Sequence, residues 1–550
     1  MDNTLFFGDN LNILRDRDYF PNDCVDLIYL DPPFNSARDY NLLFKDESGR
    51  HADASIKAFG DTWHWGDKTE DLYDFLRTDS GVPLTVRRMI DSLGLFVGRN
   101  QLMAYLVMMT PRLLELHRVL KPTGSFYLHC DSTASHPLKM ILDSIFGIIN
   151  FKNEIIWKRT STHSDSKRYA RVSDRILFYT KSNKFIWNPL HTRQNPKHVA
   201  SKYRFDDQDG RGQYSLGDIS SPHARPNMTY DWMGFPPPPK GWRYSKETIQ
   251  ELHDEGRIWY PDDKTKRPRL KRYFDENEGR IQDDVWTDIN PINSQAKERL
   301  GYPTQKPIAL LERIIEISSH PGDIVLDPFC GCGTAIAAAQ KLGRKWLGID
   351  ITHLSVNLMK YRLKDMFQLE PKRDNRVVGE PEDVAAARAL AEQGDRLQFQ
   401  YWATSLIGAR AVGDDTTKKS AKPGADGGID GEITFIDGAK KDIKRVIVSV
   451  KSGGVGVEVV RSLIAVLTRE DAAIGVLITL EEPTEPMRRE AASAGKYHSP
   501  GWERDFPRVQ ILTIAELLIG ATVNMPMQVG TFKQAERVKP SSGQMGLGID

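Results

Sequence analysis

The chain has 550 residues, with 75 Lys and Arg against 74 Asp and Glu, and 40% apolar and 9% aromatic residues, enough to build packed cores and to exclude disorder of the whole chain. The length suggests roughly three to five domains or subdomains. No run of about 18 apolar residues is present to cross a membrane, and four Cys are too few for a disulfide framework, which fits a reducing cytoplasm.

The opening MDNTLFFGDN is acidic and runs straight into a polar turn, so a signal peptide is not expected. VDLIYL (25–30) reads as an apolar strand ending at Asp31-Pro32-Pro33-Phe34. A helical stretch follows at 104–120, then a turn at Lys121-Pro122 and a strand at 124–131. RILFYTKS (175–182) is a further strand. Residues 151–300 hold 28 Lys and Arg against 21 Asp and Glu, interleaved with Trp157, Trp187, Tyr203, Trp232, Trp242, Trp259, Tyr260 and Tyr273. Basic charge among flat rings suits phosphates and unstacked bases; a solvated loop region with core aromatics accounts for the composition equally well. Beyond it come a strand in DIVLDPFCGCGT (323–334), a helix at 335–342 and the strand WLGID (346–350). Short strands apolar on both faces, alternating with helices, predict an α/β fold with a mostly parallel sheet covered on both sides. Residues 367–381 are polar with Pro and Gly and read as a linker. A separate unit follows at 382–533, with a helix near 382–411 and strands near 432–436, 446–451 and 474–480. The tail 534–550 is expected to be disordered.

Two loops carry the chemistry. After Asp327, Phe329-Cys330-Gly331-Cys332-Gly333-Thr334 opens a helix, and the next strand ends in Asp350. Glycines there permit close backbone approach to a ligand, and an acid at the next strand end suits ribose hydroxyls. A tight turn into a helix explains the glycines alone. In the other loop, two prolines stiffen the chain after Asp31. The Asp31 carboxylate and the Pro32 carbonyl offer two acceptors to an exocyclic amine with its two N–H donors, and Phe34 offers a face to a base taken out of its stack. The bland alternative is an Asp-Pro-Pro turn that merely ends a strand.

DPPF, then TQKP (Thr304–Pro307), then DPFCGCGT resemble the beta-group S-adenosylmethionine-dependent DNA amino-methyltransferases, in that group's permuted order. The resemblance covers about residues 1–366. It implies a doubly wound, Rossmann-like sheet, with a catalytic half at 1–184, a target-recognition region at 185–300 and a cofactor half at 301–366. Asp31, Pro32, Pro33 and Phe34 would receive the target base. Asp9 beside Gly8, Thr304, Gln305, Lys306, Asp327, Phe329, Gly331, Gly333, Thr334 and Asp350 would hold S-adenosylmethionine. Tyr302 stands where many members have His. The implied reaction is direct methyl transfer to adenine N6 in double-stranded DNA by base flipping, within a restriction-modification system; cytosine N4 is the alternative. Cys330 and Cys332 read as loop fillers, not zinc ligands. A separate restriction or helicase subunit and a homodimer are left open, and a cytoplasmic enzyme is expected.

At the C-terminal end, Asp430, Ser449 and Lys451 resemble the Mrr-like branch of the PD-(D/E)xK nuclease fold, in which an Asp and an (E/Q)-x-K triplet gather Mg²⁺. Ser449 departs from the pattern, and Gln400, Asp426 and Glu432 are the nearby polar candidates. A Mg²⁺-dependent DNA nuclease and a degenerate fold used for contact both remain open.

Overall fold

The computed structural model describes residues 1–526 apart from 34–38, 46–50, 61–64, 161–168, 193–195, 277–279, 294–295, 297, 301, 303, 372, 393–395, 413–427 and 438–441. Phe34, Asp426 and the tail 534–550 lie outside the described residues.

Nine strands make the principal sheet: β1 Thr4–Phe7, β2 Val25–Leu30, β3 Leu120–Cys130, β4 Phe151–Lys158, β5 Ser173–Thr180, β6 Val285–Trp286, β7 Ile324–Asp327, β8 Lys345–Asp350 and β9 Arg376–Val378. Their order across the sheet is β6-β4-β5-β3-β2-β7-β8-β1-β9. Only β5 runs antiparallel to its neighbours. Alternation sends Ile28 and Leu30 into a core with helix α2 (Gln101–Val119), and Leu27 and Tyr29 into a core with helices α3 (Thr334–Lys341) and α4 (His353–Phe367). Both faces are therefore covered, as a parallel sheet requires.

Register decides the site. Phe7 pairs with Asp350, Gly348 with Asp327, and Leu326 with Ile28. The carboxyl ends of β1, β2, β7 and β8 thus share one rim, where open α/β sheets bind ligands.

Local structure differs from expectation in four places. Lys121-Pro122 is not a turn but lies in β3, where the register with β2 shifts between Val25 and Leu27 and no regular ladder bond is required of the proline. Within the expected linker, Arg376–Val378 forms the edge strand β9, beginning where the Arg376 N–H donates to the Asn3 carbonyl. The helix expected at 382–411 is instead Val384–Glu392 and α5 (Arg396–Leu406). Residues 189–283 form a compact unit of their own, a shorter span than 185–300 because Val285–Trp286 pairs with β4.

That unit holds an antiparallel sheet of Ile258–Trp259, Arg269–Tyr273 and Tyr214–Asp218 beside buried Ile219, Trp232, Trp242 and Ile249. The C-terminal sheet contains β10 Arg410–Ala411, β11 Gly431–Asp437, β12 Asp442–Lys451, β13 Ile474–Thr479 and β14 Val509–Thr513, in that order. Its first three strands are antiparallel and its last three parallel. No helix among the described residues is long and apolar enough to cross a membrane.

Candidate active site

A cavity of about 320 Å³ opens at the shared rim. Asp9, Asp31, Pro33, Thr304, Gln305, Lys306, Asp327, Phe329, Gly331, Thr334 and Asp350 line it. Pro32 is buried beside them. Gly333 is not among the lining residues: it has φ +71° at the start of α3, and a Cβ there would come within 2.6 Å of Met359 Cγ. Its role is close packing of the loop on α4. Gly331 has φ +52°, and a Cβ there would meet the Tyr302 ring at 3.0 Å.

The first wall is the turn after β1. Asp9 caps helix α1 (Asn10–Arg15), its Oδ1 accepting from Leu11 N and Asn12 N. Its Oδ2 accepts from Arg112 Nη2 at 2.6 Å. Arg112 Nε donates to Asn10 Oδ1 at 2.7 Å, and Asn10 Nδ2 donates to the Pro328 carbonyl at 2.8 Å. A buried guanidinium on α2 thereby ties the turn, and through Asn10 the glycine loop, to one helix. Sequence reading missed Arg112 and Asn10; the available signal was a charged residue inside the apolar run AYLVMMTPRLLEL.

The second wall is the glycine loop. Asp350 accepts from Gly331 N at 2.9 Å and from Thr352 N and Oγ1, both at 2.9 Å. From α4, Arg362 donates to the Cys332 carbonyl and to Thr334 Oγ1, both at 3.1 Å. Gln305 is spent on the loop before it, accepting from Leu300 N and donating to the Glu298 carbonyl.

Three carboxylates converge. Lys306 Nζ is ion-paired with Asp31 Oδ2. Asp31 Oδ1 is buried with no hydrogen-bond partner among the described residues. Burial raises the Asp327 carboxyl to about 8, with further upward pressure from Asp31 and Asp350, partly opposed by the Phe329 N–H and Lys306. Burial also raises Asp350, against the hydrogen bonds from Thr352 and Gly331.

Below Asp31 runs a buried polar chain. Tyr29 Oη and His129 Nδ1 share a hydrogen bond of 2.9 Å, and His129 Nε2 meets Asp174 Oδ2 at 3.2 Å. A carboxylate only accepts, so His129 Nε2 is the donor to Asp174. Burial acts to raise Asp174, but His129, Lys306 and Arg159 outweigh it and hold the carboxyl low. This chain ties β2, β3 and β5 together beneath the Asp31 loop.

In the C-terminal domain, Asp430, Ser449 and Lys451 do come together. Asp430 is 5% exposed. Its Oδ1 accepts from Gln400 Nε2 at 3.0 Å, and its Oδ2 from Val450 N at 2.7 Å and Ser449 Oγ at 3.2 Å, with Lys451 Nζ at 3.7 Å. Protein donors therefore take up the carboxylate that a cation would need. Glu432 is paired with Arg410 instead. No cluster of three His, Cys, Asp or Glu suited to a metal occurs among the described residues.

Residues 25–360 match the family model described as DNA methylase, N6_N4_Mtase. Residues 412–518 match the model described as NACHT-associated inactive Restriction Endonuclease 1. The Type II methyltransferase M.EcaI of Enterobacter cloacae is 36% identical over 250 residues, 45% of this chain and 54% of its own length. The StyLTI Mod subunit of Salmonella typhimurium, of a Type III restriction-modification enzyme, is 26% identical over 62% of this chain and 50% of its own. The DNA adenine methyltransferase YhdJ of Escherichia coli is 27% identical over 66% of this chain and 82% of its own. The chain thus spans about half the length of the first two relatives. A solved M1.HpyAVI–SAM complex aligns at 16% identity and TM-score 0.29, covering 63% of this chain and 92% of the other.

Proposed function

Since the chain belongs to the DNA methylase family, we propose that it transfers a methyl group from S-adenosylmethionine to an exocyclic base amine in double-stranded DNA. The observation that carries this is Asp31 Oδ1, a buried acceptor without a hydrogen-bond partner among the described residues, on the cavity that the glycine loop also lines.

The cavity suits the cofactor. The acids Asp31, Asp327 and Asp350 outnumber the Lys306 ammonium, and a ligand carrying positive charge, such as the sulfonium and ammonium of S-adenosylmethionine, would favour the ionised forms of Asp327 and Asp350. Asp350, Gly331 and Phe329 would hold its nucleoside, and Thr304 and Lys306 its methionine end. When bound, it supplies an electrophilic methyl group. Asp31 and the Pro32 carbonyl accept the hydrogens of the amine, which frees its lone pair and aligns it for in-line attack. The nitrogen would lose a proton once methylated, and Asp31, whose Oδ1 has no hydrogen-bond partner among the described residues, would take it. Phe34 stacks on the extruded base.

Adenine N6 is the preferred target: Asp-Pro-Pro is followed by an aromatic, and the relative YhdJ is named an adenine methyltransferase. The 189–283 unit would contact DNA. Its Arg225, Lys240, Arg243, Arg267, Arg269 and Arg272 are exposed, and Arg225, Lys240 and Arg267 donate to neutral oxygens. Service in a restriction-modification system, with a separate restriction or helicase subunit, belongs to the same proposal, as do a cytoplasmic setting and a homodimer. The capping of Asp430 disfavours the Mg²⁺-nuclease alternative.

Modification-aware sequencing of DNA from an expressing host tests the assignment. Wild type should leave N6-methyladenine at one motif, and Asp31→Ala should not. N4-methylcytosine would correct the base, and full methylation by Asp31→Ala would remove the assigned acceptor.

A further inference from the structure

We propose that the nuclease-like C-terminal domain serves as a brace for the cofactor loop, acting through Gln398 and Tyr401 of α5 on helix α4 and Tyr302. The inference rests on the methyl-donor assignment made above.

Helix α5 has two working faces. Phe399, Trp402 and Ala403 enter the core of the C-terminal domain. Gln398 and Tyr401, three residues apart and so neighbours on the helix surface, turn to the methylase. Gln398 Oε1 accepts the His353 N–H at 3.2 Å. That donor lies in the first turn of α4, where backbone N–H groups lack intrahelical partners. The three residues before it, Asp350, Ile351 and Thr352, all line the cavity.

Tyr401 is 7% exposed and shares one apolar cluster with Tyr302, Cys332, Leu354 and Leu358, which Ala411 also joins. Cys332 belongs to the loop itself. The Tyr302 ring is the surface that a Cβ on Gly331 would strike. Helix α4 also holds the loop's far end through Arg362. A displacement of α4 or of Tyr302 must therefore move the Gly331–Thr334 backbone.

The Asp430 cluster supports the same construction. Gln400, two residues from Gln398 on the same helix, is the side chain that occupies Asp430 Oδ1. The contact that closes the candidate metal site also anchors α5 against β11 and β12. One helix is thus pinned on one side by Asp430 and on the other by the start of α4.

Coupling of this kind is reciprocal. Loosening α5 should weaken cofactor binding, and cofactor binding should protect α5. The test is calorimetric titration of the full-length chain with S-adenosylmethionine, without DNA. Gln398→Leu should raise Kd about five-fold, the scale of one hydrogen bond. Tyr401→Ala should raise it roughly ten-fold or more, the scale of a buried aromatic partly lost. Arg488→Ala, exposed on the same domain, should leave it unchanged. Hydrogen exchange of 396–406 should slow when the cofactor is added to wild type. Wild-type Kd in folded Gln398→Leu and Tyr401→Ala, with no change in exchange at 396–406, overturns the brace. If Tyr401→Ala does not fold, Gln398→Leu and the exchange measurement decide. Wild type that binds no S-adenosylmethionine overturns the methyl-donor assignment first, a different result from a wild type and variants that bind equally.

Discussion

The Lys306 ammonium is ion-paired with the Asp31 carboxylate, a partner 275 residues earlier in the chain. The side chains are 10% and 16% exposed, so the pair is held in a low-dielectric place. Asp327 and Asp350 line the same cavity. Removing the one ammonium among these acids leaves a charge without compensation, at a cost on the order of 3–5 kcal/mol. Lys306→Met should therefore reduce methyl transfer by about 10²–10³-fold, more than it reduces DNA binding, whereas Lys306→Arg should keep part of the activity. Single-turnover rates with labelled cofactor check this. A Lys306→Met enzyme of wild-type rate would show that the pair is incidental.

Asp327 gives a pH signature. Its carboxyl is raised to about 8, mainly by burial, against an ordinary value of about 3.9 when unfolded. In the folded protein it keeps its proton at neutral pH. Its contribution to stability is complete below about pH 4 and is lost as pH rises through about 8. A cationic ligand beside it favours the ionised form, so binding should release a proton and tighten as pH rises from about 6 towards 8. Titration in buffers of different ionisation enthalpy reads this directly. Asp327→Asn should abolish the buffer dependence; a variant that retains it would move the proton elsewhere.

The two loops were legible from sequence because each is a local device: a strand end followed by a proline-braced turn in one, and by a glycine turn into a helix in the other. The rim that joins them follows from the order β2-β7-β8-β1; the apolar strands implied a mostly parallel sheet but not that order. Arg112 with Asp9, and Tyr29 with His129 and Asp174, were not legible. These partners stand 103, 100 and 45 residues apart, and nothing local marks a pair across strands or between a turn and a distant helix. Asp430, Ser449 and Lys451 could be grouped by strand alternation, but whether the carboxylate is open to a cation depends on which donors face it. Gln400 and Val450 N settle that only in three dimensions.

Asp430 should therefore behave as a structural residue. With Gln400, Ser449 and the Val450 N–H all donating to it, loss of the carboxylate leaves buried donors unsatisfied, at about 1–3 kcal/mol for each. Asp430→Ala should lower the melting temperature of the C-terminal domain, while wild type should show no thermal shift on adding Mg²⁺ and no cleavage of DNA. A Mg²⁺-dependent rise in melting temperature that vanishes in Asp430→Asn would restore the nuclease reading.

His353 sets an acid limit. The ring is fully buried, stacked on Phe7 with centroids 3.5 Å apart, and neither ring nitrogen has a hydrogen-bond partner among the described residues. Burial lowers it to about 3, with Lys360 adding to the effect. The unfolded chain takes up this proton near pH 6.5, the folded chain only near pH 3, so stability falls as pH drops through that window. At about pH 5 the loss amounts to roughly 2 kcal/mol relative to neutral pH. His353→Phe keeps an aromatic ring for Phe7 and removes the titration. Its unfolding midpoint should fall less than that of wild type between neutral pH and about pH 5, in parallel denaturant melts. Equal falls in the two proteins would mean that the imidazole is protonated in the fold and that its burial is relieved by a group it does not meet here.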